Sequence, residues 1–322
     1  MYVETYPGVN AFLIGASKLL VSEGIKRETR GSVCFELPEL AVFKITNPLA
    51  REVIIPIRKW NRTLPYAESL WIASGRNDMG FITHYVKRMM DFSDDGNFMR
   101  GGYGPRLRDY NGTTEDYKIE SMNTRQAGSV DQLNYVVECF REDKETRRAV
   151  IAFGDPMKDN FDKNGELKTT KDYPCTRELH FIKQPSGNKL DLIVRMRSND
   201  LVWGASAVNI FNYTFIQEYV AAVLGMDIGN YYHIVDNLHY YEHHQEMIHA
   251  IAELDSCDEK AYALEKSFKT LFDFDNLITR LASEEAKMRK NFDSYDKVIF
   301  TDQFFQHWYE VLYQYNYKRI KR

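Results

Sequence analysis

The sequence predicts an α+β fold, with a β-sheet core flanked by helices and a helical C-terminal extension. Three observations predict it. Apolar alternation is clearest in the middle of the chain, in RAVIAF, RELHFIK and LDLIVRM, and helical-period segments stand on both sides of it. The last part of the chain is charged, aromatic and mostly helical in pattern. The 322 residues, 44% hydrophobic and 14% aromatic, suffice for one large core or a core with an appended subdomain.

Taken in order, GVNAFLIGASKLLVSEG carries apolar residues at helical spacing and stops at Gly24, while SVCFELPELAVFKI alternates like strands around a proline turn. PYAESLWIAS and FITHYVKRMMDF predict two helices divided by the polar break GRNDMG, and SVDQLNYVVECFRED predicts another. RELHFIK and LDLIVRM flank PSGNK, a hairpin connection by residue type. From Ala207 to Leu224 apolar positions recur at three and four residues and Gly225 supplies the stop, which predicts one buried helix. NYYHIVDNLHYY reads as a further strand. No repeat, low-complexity tract or Pro/Gly/Ser linker marks a boundary, so residues 1–255 are taken as one domain and 256–322 as the extension.

Charge and cysteine usage exclude several classes. Acidic residues number 46 against 42 basic, a net charge of −4, which disfavours a general nucleic-acid binder. No basic leader precedes an apolar block and no apolar stretch is long enough to span a bilayer, so a cytoplasmic enzyme with no membrane partner is expected. The four cysteines never pair as CxxC and no HExxH is present, so neither a disulfide framework nor a metal site is expected.

Against that background a few residues suggest chemistry. Cys175, in DYPCTRELHF, follows a proline at the start of a strand, an element end where a thiol can serve as a nucleophile; the alternative is the ordinary one for a free cysteine, a small buried hydrophobe. Arg147 and Arg148 in one turn, and Arg195 and Arg197 at period two in LIVRMRSND, suit phosphate oxygens, because guanidinium forks make strong, directional bonds to them. A cationic cluster also favours a thiolate. His233 and His239 have strand-like spacing compatible with separate roles, such as a hydrogen bond to a sugar hydroxyl. Tyr103 stands on the tight glycine turn MRGGYGPRL.

In order, these segments resemble the thymidylate synthase family, which includes pyrimidine nucleotide hydroxymethylases, from about Arg27 to His244. PCTRELHF, RMRSND, WGASAVNIFNY and VDNLHYYEHH carry the resemblance. It implies a mixed β-sheet fold, a homodimer, a pyrimidine nucleoside monophosphate as substrate and 5,10-methylenetetrahydrofolate as co-substrate. It implies Cys175 as the nucleophile at C6 of the pyrimidine, with Arg197 and Ser198 on the phosphate, Asp200 on the folate ring, Asn209 on the base, and His239 and Tyr241 on the ribose. KRETRGSVCF resembles the phosphate loop, which implicates Arg27, with Arg30 as the alternative register. ESLW implicates Glu68 in proton transfer, Tyr103 matches an active-site tyrosine, and Arg147 with Arg148 match a pair that crosses to the neighbouring subunit's phosphate.

The departures divide the family. Thr176 after the cysteine and Met196 before the arginine resemble the hydroxymethylase branch, as does the absence of a short apolar C-terminal tail; no tryptophan-bearing folate segment is evident between Glu68 and Tyr103. Asn209 favours uracil over cytosine, because an amide and a carboxyl present different donor patterns to the base. The Gly204–Asn209 spacing is one residue longer than usual, which leaves Val208 as the alternative base reader. The implied reaction is hydroxymethylation of dUMP or dCMP, with the synthase reaction, dUMP to dTMP, as the alternative.

Overall fold

The computed structural model describes residues 1–29, 31–122 and 127–320. The chain opens with strand β1 (Tyr2–Tyr6), helix α1 (Val9–Glu23), the hairpin β2 (Ile25–Thr29) and β3 (Ser32–Glu36), and β4 (Ala41–Ile45). Helices α2 (Thr63–Ala73), α3 (Met79–Tyr85), α4 (Tyr103–Arg108) and α5 (Gln132–Glu142) lead to β5 (Val150–Ala152), α6 (Pro156–Asp159), β6 (Thr176–Lys183) and β7 (Lys189–Met196). After β8 (Asn199–Asp200), a π-helical stretch, Leu201–Asn209, runs into α7 (Ile210–Leu224). Strands β9 (Asp227–Val235) and β10 (Leu238–Tyr241) and helices α8 (Gln245–Ala252), α9 (Leu271–Lys290) and α10 (Gln303–Ile320) complete the order.

Six strands form the main sheet in the order β1-β4-β9-β7-β6-β5, and four form a second sheet, β2-β3-β10-β8. Both are mixed. In the main sheet β1 runs parallel to β4 and β7 to β9, whereas the other neighbours are antiparallel. A parallel pair needs a crossover, and α7 provides it between β7 and β9. That helix is apolar on nearly every side, as a helix sandwiched within a core must be, and Ile210 to Ala221 are all buried. It ends where Gly225 takes φ +65°, a left-handed conformation that glycine adopts without the strain it costs other residues.

The C-terminal helices cover the outer face of α7. The Phe215 ring lies 4.6 Å from Phe304 and 4.7 Å from Trp308, and Tyr219 stacks on Phe274 at 4.3 Å. Burying each such ring contributes about 2 kcal/mol. Arg108 of α4 reaches both oxygens of Asp275 on α9, at 2.9 and 2.8 Å, and Trp308 Nε1 donates to the Tyr66 carbonyl of α2 at 2.8 Å. Among the described residues no helix is long and apolar enough to cross a membrane.

Three local expectations change. The helix expected from Ala207 begins as an α-helix only at Ile210, behind the π-helical stretch. FITHYVKRMMDF is not one helix: α3 ends at Tyr85, and Lys87–Phe92 form a 3-10 turn. NYYHIVDNLHYY is not one strand either, because a turn at Asp236 and Asn237 sends β9 and β10 into different sheets.

Candidate active site

Cys175 stands one residue before β6, half-buried, where the strand emerges from the Tyr173-Pro174 turn. Arg197, just past β7, folds back over this turn. Its backbone N–H donates to the Cys175 carbonyl at 2.9 Å, its Nε to the Pro174 carbonyl at 3.0 Å and its Nη2 to the Tyr173 carbonyl at 2.9 Å. Nη2 is then 3.7 Å from Cys175 Sγ, and the guanidinium lies over the Tyr173 ring. A guanidinium beside a sulfur favours the ionised, nucleophilic form. Arg195 does not share this position; it is exposed and faces Asp236 at 3.4 Å.

Behind the cysteine three hydroxyls line up. Thr176 donates its N–H to the Tyr103 hydroxyl at 3.2 Å, and its own Oγ1 is hydrogen-bonded to the Tyr213 hydroxyl of α7. Burial raises the pKa of both tyrosines, keeping them neutral. Tyr103 opens α4 on the expected glycine turn, and a Cβ at Gly104 would overlap the backbone of Arg76. Glu68 of α2 lies within electrostatic range of Tyr213 and is 8% exposed. Burial pushes its carboxyl up to about 7, against the pull of the Asn212 amide. A carboxyl poised near neutrality can both give and take a proton.

The π-helical stretch sets the next group. Asp200 caps it, accepting from the Val202 N–H at 2.8 Å, and Asn209 closes it. The wider coil of a π-helix takes up one residue more than an α-helix over the same length, and Gly204 to Asn209 lie within it. The Asn209 Oδ1 accepts from Asn199 Nδ2 at 2.8 Å; the Asn199 Oδ1 meets His233 Nε2 at 2.9 Å, and His233 Nδ1 meets the Tyr231 hydroxyl at 2.9 Å. His233 is wholly buried in this chain, so it orients Asn199 and has no path to a sugar hydroxyl; burial lowers its pKa to about 3. Val208 is a core residue. Gly204 is dictated by space, since a Cβ there would overlap the Asn199 amide and lie 2.9 Å from Asn209 Oδ1.

The second sheet brings the remaining groups to the same side. The Asn237 Oδ1 accepts from His239 Nδ1 at 2.9 Å and from Ser198 Oγ at 3.5 Å, and its Nδ2 donates to Glu36 Oε2 at 2.9 Å. Glu36 in turn pairs with Arg27, which is exposed on β2. Burial lowers the His239 pKa, although Asp200 opposes it. Tyr241, at the end of β10, packs edge-on against His239. Arg30 lies outside the described residues. Arg58, not anticipated from sequence, donates to the Val202 carbonyl and to Ser206 Oγ at 3.2 Å and sits within range of Asp200. Asn199, Asn212, Tyr213 and Asn237 were likewise not anticipated.

Arg147 and Arg148 are not brought to this cluster. They precede β5 and are exposed; Arg148 pairs with Glu142, and the Arg147 carbonyl accepts from His180 Nε2 at 3.1 Å. A strand rises about 3.3 Å per residue, which puts His180 on the order of 16 Å along β6 from Cys175. Among the described residues no group of three or more His, Cys, Asp or Glu side chains could hold a metal ion.

The family model for thymidylate synthase matches residues 21–285. The deoxyuridylate hydroxymethyltransferase of Bacillus phage SP01 is 40% identical over 223 residues, covering 69% of this chain and 54% of its own. The enzyme of that name from Pseudomonas phage M6 is 32% identical over 72% of this chain and 58% of its own, and a thymidylate synthase of Bacillus licheniformis is 27% identical over 51% and 55%. The chain thus spans little more than half the length of these relatives. With a family model matching most of its length and with Cys175 and Arg197 at adjoining ends of β6 and β7, the chain belongs to the thymidylate synthase family.

Proposed function

We propose that this protein transfers a one-carbon unit from 5,10-methylenetetrahydrofolate to C5 of deoxyuridylate and releases the 5-hydroxymethyl nucleotide. The observation that carries the reading is the pairing of a family cysteine held under Arg197 with relatives above 30% identity that bear the name deoxyuridylate hydroxymethyltransferase. Thr176 and Met196, both fully buried, support the same branch.

In this reading the Cys175 thiolate adds to C6 of the uracil, which makes C5 nucleophilic and divides one difficult step into easier ones. Arg197, Ser198 and Arg27 hold the phosphate, His239 and Tyr241 the ribose. Asn209, fixed by Asn199 and His233, presents its amide to the base, and that amide favours uracil over cytosine. The donor set around Asp200 suits a folate ring, because a half-buried carboxylate accepts from paired ring and amino N–H groups. The folate supplies the one-carbon unit as a methylene at C5 and leaves as tetrahydrofolate; the C5 proton is lost, water adds to the methylene to give the hydroxymethyl group, and the Cys175 thiolate is expelled from C6. Glu68, with Tyr103 nearby, moves protons at the base and at its new substituent.

Arg147 and Arg148 enter this scheme only through a second copy. Exposed and remote from their own Cys175, they complete the phosphate site of a partner in a homodimer acting in the cytoplasm, the host's if the source is viral. Residues 256–322 brace the catalytic helices of residues 1–255.

The test is incubation of the protein with 5,10-methylenetetrahydrofolate and either dUMP or dCMP, followed by product mass and the oxidation state of the released folate. The expected result is 5-hydroxymethyl-dUMP with tetrahydrofolate. A 5-methyl product formed in step with dihydrofolate would replace this reading with the synthase reaction.

A further inference from the structure

The start of α2, the end of α3 and the last turns of α10 line a cavity of about 550 Å3, none of whose lining residues belongs to the cluster around Cys175. Arg62, His84, Lys87, Tyr315, Lys318 and Arg319 line it, and no carboxylate does. The volume falls within the range of small-molecule sites.

The charges in this wall are not balanced. Arg62 is neutralised by Glu52 at 2.8 Å, but Lys87, Lys318 and Arg319 make no ion pair among the described residues. The neighbouring hollow continues the basic surface to Arg289, which Glu285 neutralises at 2.9 Å. His84 offers no compensation. Its Nε2 donates to Asn316 Oδ1 at 2.8 Å, and its Nδ1 accepts from Arg319 Nη1 at 2.7 Å, so the ring is a neutral bridge that aims the Arg319 guanidinium. Burial lowers its pKa to about 4, and the adjoining Arg319 and Arg289 add to that. Three uncompensated cations gathered around one cavity repel one another, in a chain whose net charge is −4.

We infer that this cavity is a second anion site, separate from the one around Cys175, and that it takes a small ligand carrying two or more phosphate groups. Multiple phosphates satisfy three dispersed cations at once, with Arg319 as the directional donor. Tyr315, half-buried in the wall, gives the remainder of the ligand an aromatic surface.

Inorganic tripolyphosphate is the probe, titrated calorimetrically into the 322-residue chain at low and at moderate salt. One saturable event is expected, weakened by added salt. It should weaken by well over tenfold in the Lys87→Ala/Arg319→Ala variant, since each of the two lost charge-assisted contacts is worth about tenfold, and stay unchanged in Arg197→Ala. Lys318→Glu, which changes one exposed side chain, should weaken it too and guards against misfolding of the double variant. Absence of saturable binding, or binding lost in Arg197→Ala and kept in Lys87→Ala/Arg319→Ala, would overturn the assignment. The inference stands apart from the proposed reaction, since it is read by binding and not by turnover.

Discussion

Replacing Glu68 with glutamine keeps the shape of the side chain and removes its titration. The structure sets the size of the effect. Burial raises the carboxyl from 4.5 to about 7, so the folded protein holds a proton on Glu68 that the unfolded chain has already released. For a raised pKa the stabilisation is fully present below pH 4.5 and is lost as the pH climbs through 7. At 1.36 kcal/mol per unit the loss comes to about 3 kcal/mol. Urea unfolding of wild type and Glu68→Gln, at one protein concentration and at several pH values from 4.5 to 8, isolates this group from every other carboxylate. The variant should gain about 3 kcal/mol relative to wild type across that window. Its turnover should fall by about 10²–10⁴ and lose the ionisation near neutrality that Glu68 imposes on the wild-type profile. Parallel unfolding curves would refute the reasoning, because they would mean that the buried carboxyl titrates as it does in water.

The other predictions concern single contacts. Cys175→Ser should abolish both turnover and covalent capture of 5-fluoro-dUMP while circular dichroism stays unchanged, and substantial turnover in that variant would remove the nucleophile from the mechanism. Mixed subunits of Arg147→Ala and Cys175→Ser should recover activity that neither has alone, as subunit exchange followed by assay would reveal; a monomer in sedimentation runs against it. Gly204→Ala pushes a methyl into the Asn199–Asn209 pair, so nucleotide KM should rise and stability fall by about 1–3 kcal/mol in a thermal melt. His233 has a depressed pKa, so the stability it confers is present above pH 6.5 and lost on acidification toward 3; acid unfolding of wild type should exceed that of His233→Gln by on the order of 5 kcal/mol.

The candidate residues were legible because several sit in short runs tied to strand ends. Cys175 and Arg197 are far apart in sequence, but each run ends a strand of one hairpin, and antiparallel pairing brings the ends together. The segment before α7 was harder. Apolar spacing from Ala207 looks the same for a π-helix and for the α-helix that follows it, so the wider coil was not legible. His233 looked available because strand alternation does not say which face is covered. Tyr213 and Asn199 carried no signal, one hidden among the aromatic residues of a buried helix and the other a lone amide in a two-residue strand. β1 and β2 were not read as strands, since most of their residues face solvent and the alternation fades. Arg147 and Arg148 are exposed and away from Cys175 in this chain, and a single chain's sequence does not tell a residue of its own site from one of a partner's.

The bond from Trp308 to the Tyr66 carbonyl bears on how the protein is made. The two residues are 242 positions apart. At a synthesis rate of roughly 5–20 residues per second, the helix carrying Glu68 leaves the ribosome about 10–50 s before its cover exists. Tyr66 waits uncovered for all of that interval and Phe211 and Phe215 for its later part, and the nascent chain is then at its most vulnerable to aggregation and to chaperone capture. Slowing translation late in the message should therefore lower the yield of soluble enzyme more than slowing it early.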